Sequence, residues 1–195
     1  GRFNMKWICD YRMKSVVIGF VGAMVLSGGS VRADFTFGEP TNLGPTVNDS
    51  SSEDFLACPS ADGLELYFSS WDDWILRVCT RPSKDAPWGN PVKLGPPINS
   101  YDVWGPDISA DGLSLYVASA RNGGYGNIDV WVAKRVTTSD PWGEPVNLGS
   151  PINSDNPEFC PCISPDGCSL YFSRIGHFSS TNPDIFYGGG IYMAT

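Results

Sequence analysis

The chain has one histidine, few basic residues and little that suggests a helix, and each scarcity narrows its function. Thirteen Lys and Arg stand against 21 Asp and Glu, a formal net charge of −8. A surface with that balance repels phosphate backbones, which argues against nucleic acid and anionic membrane surfaces as partners. His177 is the only histidine, and without a Gly-x-Ser-x-Gly nucleophile turn a Ser-His-Asp machine has little support. The apolar stretch Val16 to Leu26 is too short to span a bilayer. Beyond it no segment carries a sustained 3.6-residue apolar period with caps, so very little helix is predicted.

What the chain does have is repetition. Pro59-Ser60-Ala61-Asp62-Gly63-Leu64-Glu65-Leu66-Tyr67-Phe68 recurs as Ile108-Ser109-Ala110-Asp111-Gly112-Leu113-Ser114-Leu115-Tyr116-Val117 and as Ile163-Ser164-Pro165-Asp166-Gly167-Cys168-Ser169-Leu170-Tyr171-Phe172, with periods of 49 and 55 residues. A second landmark keeps step: Gly38-Glu39-Pro40-Thr41-Asn42-Leu43-Gly44, Gly89-Asn90-Pro91-Val92-Lys93-Leu94-Gly95 and Gly143-Glu144-Pro145-Val146-Asn147-Leu148-Gly149 lie 51 and 54 residues apart. Two motifs with similar periods mean one supersecondary unit used three times, at a spacing typical of propeller blades.

Residues 1–33 read as upstream sequence and a signal peptide. Met13 and Lys14 open a short positive region, Val16 to Leu26 is the apolar core, and Val31-Arg32-Ala33 ends on a small residue suited to cleavage. The mature protein is then expected to begin at Asp34, and a periplasmic or secreted location is expected, with no membrane insertion after cleavage. Removing Arg2, Lys6, Arg12, Lys14, Arg32 and Asp10 leaves 8 basic and 20 acidic side chains, a formal charge of −12. Cys9 leaves too, so five of the six cysteines remain, an odd number in a compartment that permits disulfides.

Each unit reads as four short antiparallel strands. In the middle copy these are a strand from Gly105 to the Ser-x-Asp-Gly turn, then Leu113–Ser119, Asp129–Lys134 and Pro145–Leu148. Asp-Gly between two apolar runs is a hairpin signal, because Gly accepts the positive φ that a Cβ resists. Leu113, Leu115 and Val117 fall on one face and Tyr116 and Ala118 on the other, as expected of a sheet sandwiched between two others. The units span approximately 45–95, 96–149 and 150–195, with 38–44 a lone outer strand that donates to the last unit.

The Ser-x-Asp-Gly-x-x-Leu-Tyr-Phe signature and its aromatic third strand resemble the WD-like β-propeller repeat of the TolB-type six-bladed propellers. That resemblance covers residues 38–195 and implies an all-β chain of three blades. Three blades make either a partial propeller or half of a dimeric ring, a homodimer completing six blades. Members of such families serve as interaction modules or as carbohydrate-active enzymes. The expected function is therefore an exported, non-catalytic propeller module that binds a protein or a glycan. The alternative is a fragment of a carbohydrate-active propeller, a glycoside hydrolase or lyase.

Asp62-Gly63, Asp111-Gly112 and Asp166-Gly167 are expected to form turns, since Asp before Gly caps its own loop. Function is expected at the opposite end, where the copies diverge. There Trp71 and Trp74 flank Asp72 and Asp73, residues suited to a sugar platform or to a locked hairpin. Asp102, Arg121 and Tyr125 fall at the same end of the middle unit. Asp107 replaces Cys58 and Cys162 of the neighbouring copies on an innermost strand, where it can face a ligand. Asp49, Glu53, Asp54, Asp72 and Asp73 offer oxygen ligands without a calcium-loop spacing, so a solvated acidic rim is preferred and no cofactor is expected. Cys160, Cys162 and Cys168 lack a fourth ligand and the usual zinc spacing, and packing is preferred for them. Gly123-Gly124-Tyr125-Gly126 has no following helix to bind phosphate. Asn48, Asn99 and Asn153, each at a unit's entry, are expected to bond their own backbone.

Overall fold

The structure, a computed structural model, describes residues 39–48, 53–178, 186–187 and 189–195. The proposed leader and Phe37, Gly38 and Asp49 lie outside these residues. The chain divides into a unit Gly1–Pro40 and a unit Thr41–Thr195, and the second carries the sheets.

Three antiparallel sheets follow the triplicate. The first has strands β1 (Asp54–Pro59), β2 (Glu65–Ser70), β3 (Leu76–Thr80) and β4 (Val92–Lys93) in that order. The second repeats it with β5 (Val103–Ile108), β6 (Ser114–Ser119), β7 (Asp129–Lys134) and β8 (Val146–Asn147). In the third, β9 (Glu158–Ile163) pairs with β10 (Leu170–Arg174), and β10 with β13 (Gly190–Ala194). Between those last two strands, β11 (His177–Phe178) and β12 (Phe186–Tyr187) form a separate hairpin, which the sequence reading did not anticipate. The only helix among the described residues is a 3-10 turn, Ile98–Ser100. This is an all-β chain of sheets of three and four strands, consistent with the blades of a partial propeller.

Each Ser-x-Asp-Gly turn is closed by the same four bonds. Ser60 Oγ donates to Asp62 Oδ1 at 2.6 Å, Leu64 N to that oxygen at 2.9 Å, Gly63 N to Ser60 O at 2.8 Å and Glu65 N to Ser60 Oγ at 2.9 Å. Ser109–Asp111 and Ser164–Asp166 repeat them, and Gly63, Gly112 and Gly167 all take φ near +70°. The serine hydroxyl, then the backbone N–H, hold all three carboxyls below their ordinary range.

A second corner is copied as well. Arg81 Nε donates to Gly63 O at 2.7 Å while its guanidinium lies 4.3 Å over the Trp88 ring. Arg135 does the same with Gly112 O at 2.7 Å and Trp142 at 4.3 Å, and also pairs with Glu65 of the first sheet at 2.8 Å. Trp88 and Trp142 thus occupy equivalent packed corners, each locking a third strand to its own Asp-Gly turn.

The middle sheet is covered on both faces. Leu115, Val117, Trp131 and Ala133 pack with Tyr67, Leu76, Ile98 and Val103 toward the first sheet. Tyr116 and Val130 pack with Leu170 and Phe172 of the third. Leu115 and Val117 are fully buried, and each contributes roughly 1.5–3 kcal/mol by leaving water.

Two expectations are corrected. Residues 39–44 form no strand; Gly44, at φ 87°, instead turns the chain, with its N–H on Asn42 Oδ1 at 2.7 Å. A strand needs a neighbouring strand's donors and acceptors, and no strand among the described residues pairs with this segment. The entry asparagines Asn99 and Asn153 do not bond only locally either. Asn153 Oδ1 accepts from Val130 N at 2.8 Å and its Nδ2 donates to Val130 O at 2.8 Å. Asn99 clamps Leu76 identically, at 3.0 and 2.9 Å, and its Nδ2 also reaches Leu94 O. The side-chain amide imitates a strand's backbone and ties each sheet's entry to the third strand of the sheet before it.

Asn153 is 2% exposed, so removing its amide strands a buried N–H and weakens a buried C=O. Asn153→Ala is expected to lower stability by about 3 kcal/mol, read from the urea midpoint. A loss near zero would show that water replaces the clamp.

Candidate functional site

The first strands β1, β5 and β9 lie side by side, and each carries a bulge at the same place. Leu56 (φ 53°), Gly105 (φ 56°) and Cys160 (φ 49°) are the left-handed residues of these bulges. A left-handed Leu or Cys is strained, and such strain persists only where the surroundings impose it. At Gly105 the reason is visible: a Cβ there would lie 3.3 Å from Cys160 Cα of the adjacent strand. The bulge also corrects the expected geometry of Cys160 and Cys162. Cys160 and Pro161 together oppose one residue of β10, so simple alternation does not place the two thiols on one face.

Beyond the bulges the strands bring Cys58, Asp107 and Ile163 together. Cys58 Sγ donates to Asp107 Oδ1 at 3.1 Å, and Ile163 N donates to Asp107 Oδ2 at 2.6 Å. One carboxylate thereby links all three sheets. Burial pushes its pKa up, against the pull of these two donors. The Cys58 thiol is pushed up to about 12, chiefly by burial and further by the adjacent carboxylate. It is therefore a packed hydrogen-bond donor and a poor nucleophile at neutral pH.

Before the bulges the equivalent positions are aromatic: Phe55, Trp104 and Phe159. They extend a row begun by Trp71 and Trp74. Ring centroids are 4.6 Å apart for Trp71–Trp74, 5.6 Å for Phe55–Trp71, 6.1 Å for Phe55–Trp74, 5.5 Å for Trp74–Trp104 and 6.2 Å for Trp104–Phe159. Phe55, Trp71, Trp74 and Phe159 are half-buried, whereas Trp104 is buried with its Nε1 unpartnered among the described residues. Trp71 N donates to Glu53 O at 2.9 Å, which puts the pair at the start of β1, opposite the Asp-Gly turn at its end. Val103 N donates to Trp74 O at 2.9 Å, joining this rim to the second sheet.

The remaining candidates take different roles. Asp73 is held by Arg77 at 2.7 and 2.9 Å and by Lys93 at 3.0 Å. Desolvation opposes its ionisation, but these cations outweigh it and hold its carboxyl down to about 2. Asp72 beside it is exposed. Trp71 and Trp74 are tilted by 53° against each other, so they present edges and not one flat platform. Arg121 is buried: its Nη2 donates to Ile98 O at 2.9 Å, and its guanidinium lies 5.4 Å from the Trp131 ring and 5.7 Å from that of Tyr101. Asp102 and Tyr125 are exposed at the same end. His177 falls in β11. Among the described residues, no three His, Cys, Asp or Glu side chains gather as a metal site.

Two buried acids escaped the sequence reading. Asp129 Oδ2 accepts from Tyr125 N at 2.6 Å and Asn147 Nδ2 at 3.2 Å, and Oδ1 from Gly126 N at 3.2 Å. This explains the glycine-rich loop. A Cβ on Gly124 would fall 1.8 Å from Asp129 Oδ2 and one on Gly126 2.7 Å from Ser154 O. The loop wraps the chain's own carboxylate. Glu158, fully buried, is held by Arg174 Nε at 2.7 Å and Ser154 Oγ at 2.6 Å.

No family model matches the sequence, and no curated protein does. Among solved structures, that of a putative TolB from Agrobacterium tumefaciens is similar over 72% of this chain and 45% of that one, at 19% identity and a TM-score of 0.49. This chain thus spans less than half of that protein's length. The all-β blade architecture rests on the sheets and registers described above.

Because the folded pKa of Asp107 is raised, the folded state retains a proton that the unfolded chain has released. Ionising Asp107 therefore costs stability as pH climbs from about 4 through the folded pKa. Asp107→Asn keeps an oxygen for Ile163 N and removes that cost. In urea unfolding between pH 4 and 8, its stability relative to the parent is expected to improve as pH rises. A relative loss on going to pH 8 would contradict the arrangement.

Proposed function

We propose that the chain is an exported, non-catalytic binding module whose ligand, a protein or a glycan, is held at the aromatic rim of the three sheets. The observation that carries this reading is the row Trp71, Trp74, Phe55, Trp104 and Phe159. It crosses every sheet at the end where the repeats differ, and four of its five members keep part of their surface in water. Aromatic surface of that kind supplies large contact area at low conformational-entropy cost. Exposed carboxylates at Asp72 and Asp102 border it. The formal charge of −12 after the proposed leader then favours ligands that are neutral or basic.

The tilt between Trp71 and Trp74 favours a protein ligand over a sugar stacked on a flat indole platform. Export is supported by the Met13 to Ala33 pattern, and an envelope or extracellular setting is the corresponding proposal. The same setting agrees with the resemblance of the repeat to TolB-type interaction modules.

Basic peptide and oligosaccharide arrays probed with the purified chain test this. A basic peptide is expected to bind, with affinity falling at least about tenfold in Asp72→Lys and in Trp71→Ala. The binding should also perturb the Trp71 and Trp74 indole NMR signals. Turnover of an oligosaccharide, abolished by replacing one carboxylate, would contradict a non-catalytic module.

A further inference from the structure

Glycine follows an Asp or an Asn at four positions in the chain. Three are the Asp-Gly turns, Asp62-Gly63, Asp111-Gly112 and Asp166-Gly167, and the fourth is Asn122-Gly123, the one Asn-Gly pair in the sequence. At such pairs a chain can attack its own side chain, because glycine leaves its nitrogen unshielded by a Cβ. Whether it does so depends on what holds the nitrogen and the side chain.

In the three turns both are held. Gly63 N, Gly112 N and Gly167 N donate to Ser60 O, Ser109 O and Ser164 O, each at 2.8 Å. Each carboxylate is fixed by the serine hydroxyl, at 2.6, 2.5 and 2.5 Å, and by the backbone N–H two residues on, at 2.9, 2.9 and 3.0 Å. The amides of Asn99 and Asn153 are likewise occupied, by their clamps on Leu76 and Val130.

Asn122-Gly123 lies on the loop between β6 and β7 of the middle sheet, and the chain on either side of it, residues 53–178, is described throughout. Both residues are exposed and form the centre of a turn, with Gly123 at φ 89°, the left-handed position that a turn reserves for glycine. Gly123 N has no acceptor among the described residues, and a Cβ at Gly123 would meet nothing within 4 Å. Asn122 Nδ2 is restrained by a 3.2 Å bond to the hydroxyl of Tyr101, itself exposed. Gly124 and Gly126, further along the loop, are packed against Asp129 Oδ2 and Ser154 O, so room to move is found at the pair and not beyond it.

We infer that Asn122 is a self-modifying site, where the folded chain converts the amide to a carboxylate without an enzyme. Gly123 N attacks Asn122 Cγ; the N–Cγ bond forms, the Cγ–Nδ2 bond breaks, and ammonia leaves with the proton from Gly123 N. Water then opens the cyclic imide at either carbonyl, giving aspartate, or isoaspartate with the main chain rerouted through the side chain. No electrons change hands. The new charge appears beside a cation that lacks one. Arg121 is buried and donates to Ile98 O and Ser119 Oγ, with no carboxylate bonded to it among the described residues. Arg174, which reaches the equivalent carbonyl, Ile152 O, in the third sheet, pairs with Glu158 at 2.7 Å. The inference is independent of the ligand proposed for the aromatic rim.

The purified chain, kept folded in mildly alkaline buffer and sampled over days, is to be read by peptide mapping with mass spectrometry. The peptide 122–134 is expected to gain the mass difference between an amide and an acid, with fragment ions placing the change at residue 122 and an isoaspartyl methyltransferase labelling part of the product. The amides of Asn99 and Asn153 and the three Asp-Gly bonds should stay unchanged. Asn122→Gln, at an exposed position, should leave that peptide unmodified. Retention of the Asn122 amide in the folded chain over the time in which the urea-unfolded chain loses it, or change at another Asn or at an Asp-Gly bond first, would overturn the inference.

Discussion

The architecture depends on one constraint: a residue at the start of the third strand in the first two sheets, Leu76 or Val130, must find hydrogen-bond partners before the next sheet begins. At Leu76 and Val130 the leucine that follows the short outer strand supplies one bond, and an asparagine 23 residues downstream supplies two more. An amide is suited to this task because it offers a donor and an acceptor side by side, as a peptide group does. Since the asparagine also begins the path into the following sheet, satisfying the backbone and setting the spacing between sheets become one event. Buried, unpaired peptide groups are costly enough that the alternative spacing is disfavoured.

Sheets held at a fixed spacing then determine what their first strands can do. Those strands come close enough that Gly105 has no room for a Cβ against Cys160, and each escapes the crowding through a bulge. The bulges separate two environments. On one side, Asp107 gathers a thiol from β1 and a backbone N–H from β9; on the other, five aromatic rings form a continuous row across all three sheets. The polar knot is largely satisfied internally. The aromatic row keeps surface in water, and for that reason it is the better candidate for recognition.

Local features were legible in the sequence and long-range ones were not. The Asp-Gly turns, the register that puts Leu115 and Val117 opposite Tyr116, and the Trp88 and Trp142 corners follow from short-range chemistry repeated in step. Asn99 and Asn153 were visible as repeating residues, but their partners lie across a sheet boundary. The constant interval to Leu76 and Val130 was the only available hint. Pro106 and Pro161, inside expected first strands, were the signal for the bulges, since proline is poorly accommodated within a ladder. Left-handed Leu56 and Cys160 gave no such sign, because neither residue type favours that conformation. Asp129 was hidden for a related reason: glycine at 124 records the space a carboxylate occupies, and nothing in the sequence says that the carboxylate is the chain's own.

The central claim, that asparagine side chains complete the backbone pairing between sheets, is tested most directly by native-state amide hydrogen exchange. The account predicts that the amides of Leu76 and Val130, which donate to Asn99 and Asn153, exchange as slowly as those in the middle of β6. Exchange of either amide at the rate of an open loop would contradict it.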